Sequence, residues 1–143
     1  QALDRIINFF PADRHDQVWM DLSLNLRGMI AQQLVPTTDG KGRRAAIEIL
    51  INTPLVSDLI KKGDVHALKE VMSKSTEQGM QTFDQALFEL YSGGEIRYDS
   101  ALAAADSAND LRLMIKLSGG ERSGLSPAAQ GLSLESGDDD LTL

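Results

Sequence analysis

One change in the spacing of apolar residues constrains the fold of this 143-residue chain more than any other feature. Ala45, Ile47, Ile49 and Ile51 alternate with Ala46, Glu48 and Leu50. A repeat of two sends successive side chains to opposite faces of an extended strand, whereas a helix repeats every three to four residues. The apolar pair Leu34-Val35 and the turn dipeptide Asp39-Gly40 precede this run, so Gln32 to Asn52 is expected to form a β-hairpin.

The remainder carries helical spacing, cut into short pieces by proline, glycine and capping residues. Leu3, Ile6, Ile7 and Phe10 make one buried stripe, and Pro11 stops that helix because it cannot continue the hydrogen-bond ladder. Val18, Trp19, Leu22, Leu26, Met29 and Ile30 predict a second, longer amphipathic helix from Arg14 to Ile30. Thr53-Pro54 opens a short helix with apolar Leu55, Val56, Leu59 and Ile60, and Gly63 is placed to end it. Asp64 caps a helix bearing Val65, Leu68, Val71 and Met72. Thr82 and Gln85 form a capping box for one bearing Phe83, Leu87, Leu90 and Tyr91, and Gly93-Gly94 breaks the chain after it. Two more helices are expected at Ala101 to Ala105 and Ser107 to Leu117.

Beyond Gly119 the sequence turns to glycine, serine, proline and acid, closing with Asp138, Asp139 and Asp140. Such a stretch cannot bury enough apolar surface to offset the entropy of ordering. The expected organisation is a mixed α/β, helix-dominated domain over 1–118 with a disordered acidic tail over 119–143. The chain starts at Gln1, with helical spacing at once and no signal-peptide pattern, so the natural protein is expected to begin further upstream.

Few chemistries fit these residues. A net charge of −7 repels polyanions, and Lys41, Arg43 and Arg44 are the only basic cluster, so no nucleic-acid partner is expected. No apolar run approaches the ~20 residues of a membrane-spanning helix. With no cysteine there is no disulfide, thiolate nucleophile or thiolate metal site, which fits a cytosolic setting. No stretch matches G-x-x-x-x-G-K-[ST], the loop whose amides and lysine surround phosphates. Gly40, Gly42, Gly93, Gly94, Gly119 and Gly120 read instead as turn and helix-end residues.

His15 and His66 lie on different helices, and Asp13, Asp16, Asp21, Glu70, Glu77, Asp84 and Glu89 show no catalytic pairing. Ser57 beside Asp58, and Ser73 and Ser75 around Lys74, have no supporting base. The aspartates at 138–140 read as a solubilising end rather than a cation site. No catalytic, cofactor-binding or metal-binding residue is therefore expected within this chain.

Several ordered segments carry a family resemblance. Asp4-Arg5-Ile6-Ile7 with Phe10-Pro11 resembles the helix that follows the histidine box in type IV pilus retraction ATPases of the PilT/PilU family. Gly42 to Ile51 is similar to that family's G-R-x-A-x-x-E-I-x-I strand, and Asn52-Thr53-Pro54 to the turn after it. Gly79-Met80-Gln81-Thr82 with Asp84 and Leu87 is similar to its G-M-Q-T-x-D-x-x-L stretch. Phe83 to Tyr91 and Asn109 to Leu113 look like the PilU branch. The resemblance runs from about residue 2 to 117.

It implies the C-terminal part of a RecA-like ATPase core with a helical cluster. It further implies a hexameric motor, in the cytoplasm at the inner-membrane base of the pilus, that retracts pili and drives twitching motility. The pilus basal machinery and a PilT-like ATPase are the implied partners, and ATP and magnesium the implied ligands of the full-length protein. The family's phosphate loop, acidic boxes and histidine box all precede the position of Gln1, so this chain is expected to be inactive alone. The family's retraction motif, A-I-R-N-L-I-R-E, aligns with Leu55, Val56, Ser57, Asp58, Leu59, Ile60, Lys61 and Lys62, matching outright at Leu59 and Ile60. That helix is the implied interaction site. The competing reading is a freestanding helical adaptor without enzymatic activity, docking through the same helix.

Overall fold

The computed structural model describes residues 2–123. The described elements are α1 (Ala2–Asn8), α2 (His15–Asn25), β1 (Gly28–Pro36), β2 (Arg43–Ile51), α3 (Pro54–Lys62), α4 (Val65–Lys74), α5 (Phe83–Ser92), α6 (Tyr98–Ala104) and α7 (Ala108–Ser123). Short 3-10 turns at Ala12–Arg14 and Thr76–Gln78 join α1 to α2 and follow α4.

The hairpin is antiparallel, with Gly28 opposite Ile51 and Pro36 opposite Arg43. It begins earlier than the sequence suggests, because the second helix ends at Asn25 and Met29 and Ile30 belong to β1. The cause is a contact no local pattern reveals. Asn52 Nδ2 donates to the carbonyls of Ser23 at 3.2 Å and Leu26 at 2.6 Å, satisfying acceptors at the end of α2. Gly28, a poor helix residue, then lets the strands approach, since a Cβ there would sit 3.1 Å from the Leu50 carbonyl.

Directly opposed residues share a face of an antiparallel pair. Ala46, Glu48 and Leu50 are buried along one face of β2, while Ile30 and Leu34 of β1 lie exposed on the other, with Ile47 and Ile49 of β2 half-buried. Under the buried face sit two hydrophobic clusters. Val35 and Ala46 join Phe83, Ala86 and Leu87 of α5 with Ile96, Ala101 and Leu111. Leu50 joins Leu3, Val56, Ile60, Leu68, Met72 and Met80, with Trp19 and Leu22 of α2 and Leu26 just after it packed against them.

Beyond the strands, Gln81 extends the pairing of β2. Its N–H donates to the Ile49 carbonyl at 3.0 Å and its carbonyl accepts from Ile49 N–H at 2.8 Å. Thr82 then starts α5 with both halves of the capping box in place. The last helix runs past Leu117 to Ser123. The rest of the expected tail, 124–143, lies outside the described residues.

Candidate interaction site on the third helix

The eight residues singled out by the sequence, Leu55 to Lys62, all lie on α3. Thr53, in extended conformation, accepts the Val56 N–H on its side chain at 3.3 Å, and Pro54 supplies the first helical residue. At the other end Gly63 takes φ +66, and a Cβ there would come within 3.1 Å of Trp19 Nε1. Glycine is required at that point both by the left-handed backbone and by the indole packed over it.

The helix has two kinds of side chain. Val56 and Ile60 are fully buried, Leu59 packs at the edge of their cluster, and Ser57 Oγ donates to the Ser23 carbonyl at 2.6 Å. These four fasten α3 to α2 and the core. Leu55, 55% exposed, points outward together with Asp58, Lys61 and Lys62. Lys62 Nζ lies 2.8 Å from Asp58 Oδ2, one turn away. The hydrogen bond that Lys62 donates to Asp58, then the charge of that carboxylate, raises the Lys62 pKa above the ordinary lysine value. The lysines also sit where the helix dipole favours positive charge. An exposed leucine beside an oriented ion pair and a second lysine, Lys61, can dock a protein surface.

Several of the other sequence candidates have structural partners. His15 Nε2 is 2.9 Å from the Phe10 carbonyl, bridging the break at Pro11. His66 is exposed, 3.8 Å from Glu70 on its own helix. The hydroxyls of Ser73 and Ser75 donate to the carbonyls of Glu70 at 2.8 Å and Val71 at 2.6 Å. Among the described residues no group of three or more His, Asp or Glu could hold a metal ion. In the basic run, Arg44 is paired with Glu95 at 3.4 Å. Thr37 Oγ1 donates to Asp39 at 2.6 Å inside the hairpin turn, and that bond holds the Asp39 carboxyl below its usual range.

A charged cluster escaped the sequence reading. Glu48, 8% exposed, lies on β2 between the cluster residues Ala46 and Leu50. Burial raises its pKa first and the charge of Asp106 adds to this, opposed by Lys69 and by a hydrogen bond from the Phe83 N–H. Asp84 accepts the N–H groups of Asp106 at 2.8 Å and Ser107 at 3.2 Å, yet burial leaves its pKa raised. Lys69 Nζ stands 3.8 Å from the nearly buried Asp106 carboxylate. The group ties β2, α4, α5 and the entrance to α7 together. The only local signal was a single acid in an isoleucine-rich strand.

Helices gathered on both ends of an antiparallel hairpin match a solved structure. A crystal structure of the pilus retraction motor PilT with bound ADP superposes with a TM-score of 0.65 at 32% identity, covering 79% of this chain and 31% of that one. The fold is thus that of part of a RecA-like ATPase. No protein-family profile matches the chain. Sequence comparison narrows the class. The type IV pilus ATPase PilU of Pseudomonas aeruginosa is 72% identical over 141 residues, 98% of this chain and 37% of PilU. The retraction ATPase PilT of the same organism is 35% identical over 101 residues, 71% of this chain and 29% of PilT. The chain belongs to the PilT/PilU family, and it is twice as similar to that PilU, at 72% against 35%, as to that PilT. It spans little more than a third of the length of the PilU it matches.

Proposed function

We propose that this chain is the C-terminal portion of a type IV pilus retraction ATPase, contributing structural core and subunit contacts and leaving nucleotide chemistry to other parts of the protein. The observation that carries the proposal is the 72% identity to PilU across 98% of the chain. Consistent with this, the sequence holds no phosphate loop. In this reading ATP and magnesium are bound elsewhere in a homohexamer at the cytoplasmic face of the inner membrane. The outward face of α3 would then meet a neighbouring subunit, the pilus basal machinery or a PilT-like ATPase.

The test is a chimera in which this chain replaces the 141 residues it matches in Pseudomonas aeruginosa PilU. In cells whose own PilU is deleted and whose twitching is measurably impaired, the chimera restores twitching on agar to the level given by PilU. Leu55→Asp and Lys61→Ala in the chimera reduce that recovery while leaving its melting temperature nearly unchanged. A stably folded chimera that restores nothing contradicts the assignment. Full recovery with both α3 variants removes α3 as a contact site.

A further inference from the structure

Helix α7 packs only part of its apolar set. Leu111 is fully buried and Ile115 lies against the first cluster, while Leu113 and Leu117 are 56% and 65% exposed. Four residues apart on a helix, these two leucines stand about 6 Å from each other along one face. A cation precedes each of them. Arg112 and Lys116 are also exposed, and neither pairs with a carboxylate among the described residues. The Arg112 guanidinium is held along the helix by the bond that Nη1 donates to Asn109 Oδ1 at 2.9 Å. The outer face of α7 therefore presents two apolar steps, each beside a positive charge with no acid to meet it.

We propose that this face seats the segment Asp138-Asp139-Asp140-Leu141-Thr142-Leu143 of the same chain, its leucines against Leu113 and Leu117 and its aspartates within reach of Arg112 and Lys116. Alternate residues of an extended segment share a face about 7 Å apart, close to the spacing of the two α7 leucines. The aspartates stand directly before Leu141, and no lysine or arginine between 124 and 143 offsets them, so charge and apolar groups complement the helix together. The reach is sufficient. Leu117 and Leu113 lie about 9 and 15 Å back along the axis from Ser123, and residues 124–137 span up to about 45 Å when extended. Docking onto a helix already in place spares the segment from building a core of its own. The match to PilU takes in 141 of the 143 residues and so runs past the described fold into this segment, whereas the match to PilT takes in 101. Both parties belong to one chain, so the contact is independent of the motor assignment. Its consequence is that any partner approaching this face of α7 competes with residues 138–143.

Hydrogen exchange and cross-linking decide it. In the PilU chimera the amides of residues 139–143 exchange about tenfold more slowly than in the same chimera carrying Leu113→Ser and Leu117→Ser, two exposed positions whose substitution leaves the fold intact. Leu141→Ser with Leu143→Ser, outside the described fold altogether, removes the protection in the same way. The chain has no cysteine, so Lys116→Cys with Asp140→Cys in the 143-residue chain defines a single disulfide. It should form within one molecule about tenfold faster than the reference pair Lys74→Cys with Asp140→Cys, in which the helix position lies on α4. Exchange at 139–143 that is the same with and without the α7 leucines overturns the proposal, as does equal cross-linking of the two pairs. So does protection of residues 131–135 in place of 139–143, which would give the face to another part of the segment. A disulfide that forms only between molecules also overturns it, assigning the face to a second copy.

Discussion

Glu48 places a carboxylate between two apolar clusters, where burial opposes its ionisation and raises its pKa above the ordinary 4.5. Asp84 is displaced in the same direction from 3.8, also first by burial. The folded protein therefore holds these protons more tightly than the unfolded chain does. Their contribution to stability is complete below the ordinary carboxylate values and is lost as pH rises through the raised ones. Melting curves across pH 4 to 8 should show Glu48→Gln more stable than the parent at neutral pH, the difference shrinking in acid. An amide oxygen can still accept the Phe83 N–H, so a variant that melts lower at neutral pH would refute this account. Asn52 is the converse case, since it serves as a donor. Asn52→Asp would turn a carboxylate toward the carbonyls of Ser23 and Leu26, costing about 3 kcal/mol in denaturant titration. A loss below about 0.5 kcal/mol would mean that Asn52 does not hold the end of α2. Neither role was legible beforehand, because each depends on partners distant in sequence.

Helix α3 separates into a fastening half and an outward half, and substitutions should divide along that line. Ile60→Ala empties a fully buried position and should cost about 2–5 kcal/mol, while Leu55→Ala should stay within about 0.5 kcal/mol. Chemical denaturation of both variants checks the division, and a large loss at Leu55 would mean that residue is core. Gly63→Ala should cost about 1–2 kcal/mol or more, from the left-handed backbone and the crowding against Trp19. The sequence made the ends of this helix readable because Thr53, Pro54 and Gly63 act through their own backbone. It also made the strand character of β2 readable through the alternation at 45–51. The start of β1 was hidden, since Leu26, Met29 and Ile30 continue the helical spacing of Val18, Trp19 and Leu22. Helical period and extended period coincide over so few residues, and the tertiary bond from Asn52 decides between them. The outward set of α3 could be anticipated only as charges on a helix face, and nothing in the spacing says what meets them.

At the scale of the whole molecule, the chain builds two hydrophobic clusters under one hairpin face and leaves Ile30 and Leu34 uncovered on the other. A unit with such an uncovered apolar face should self-associate once isolated, and light scattering at increasing concentration would register it. Ile30→Lys should suppress that association, and undiminished association in the variant would locate it elsewhere. The family was legible because ordered motifs such as Gly79-Met80-Gln81-Thr82 record specific local structures: Gly79 takes φ +90, Gln81 pairs with Ile49 and Thr82 caps α5. The unpaired edge of β1 was not, because an open edge is visible only when the strands are assembled. The central claim is that these residues are part of a pilus motor and carry none of its nucleotide chemistry. ATP hydrolysis by the purified chain, beside the PilU chimera, tests it most directly. The account predicts phosphate release by the chimera at a rate close to that of PilU and none above buffer from the chain alone; hydrolysis by the chain, or a folded chimera that releases no phosphate, would contradict it.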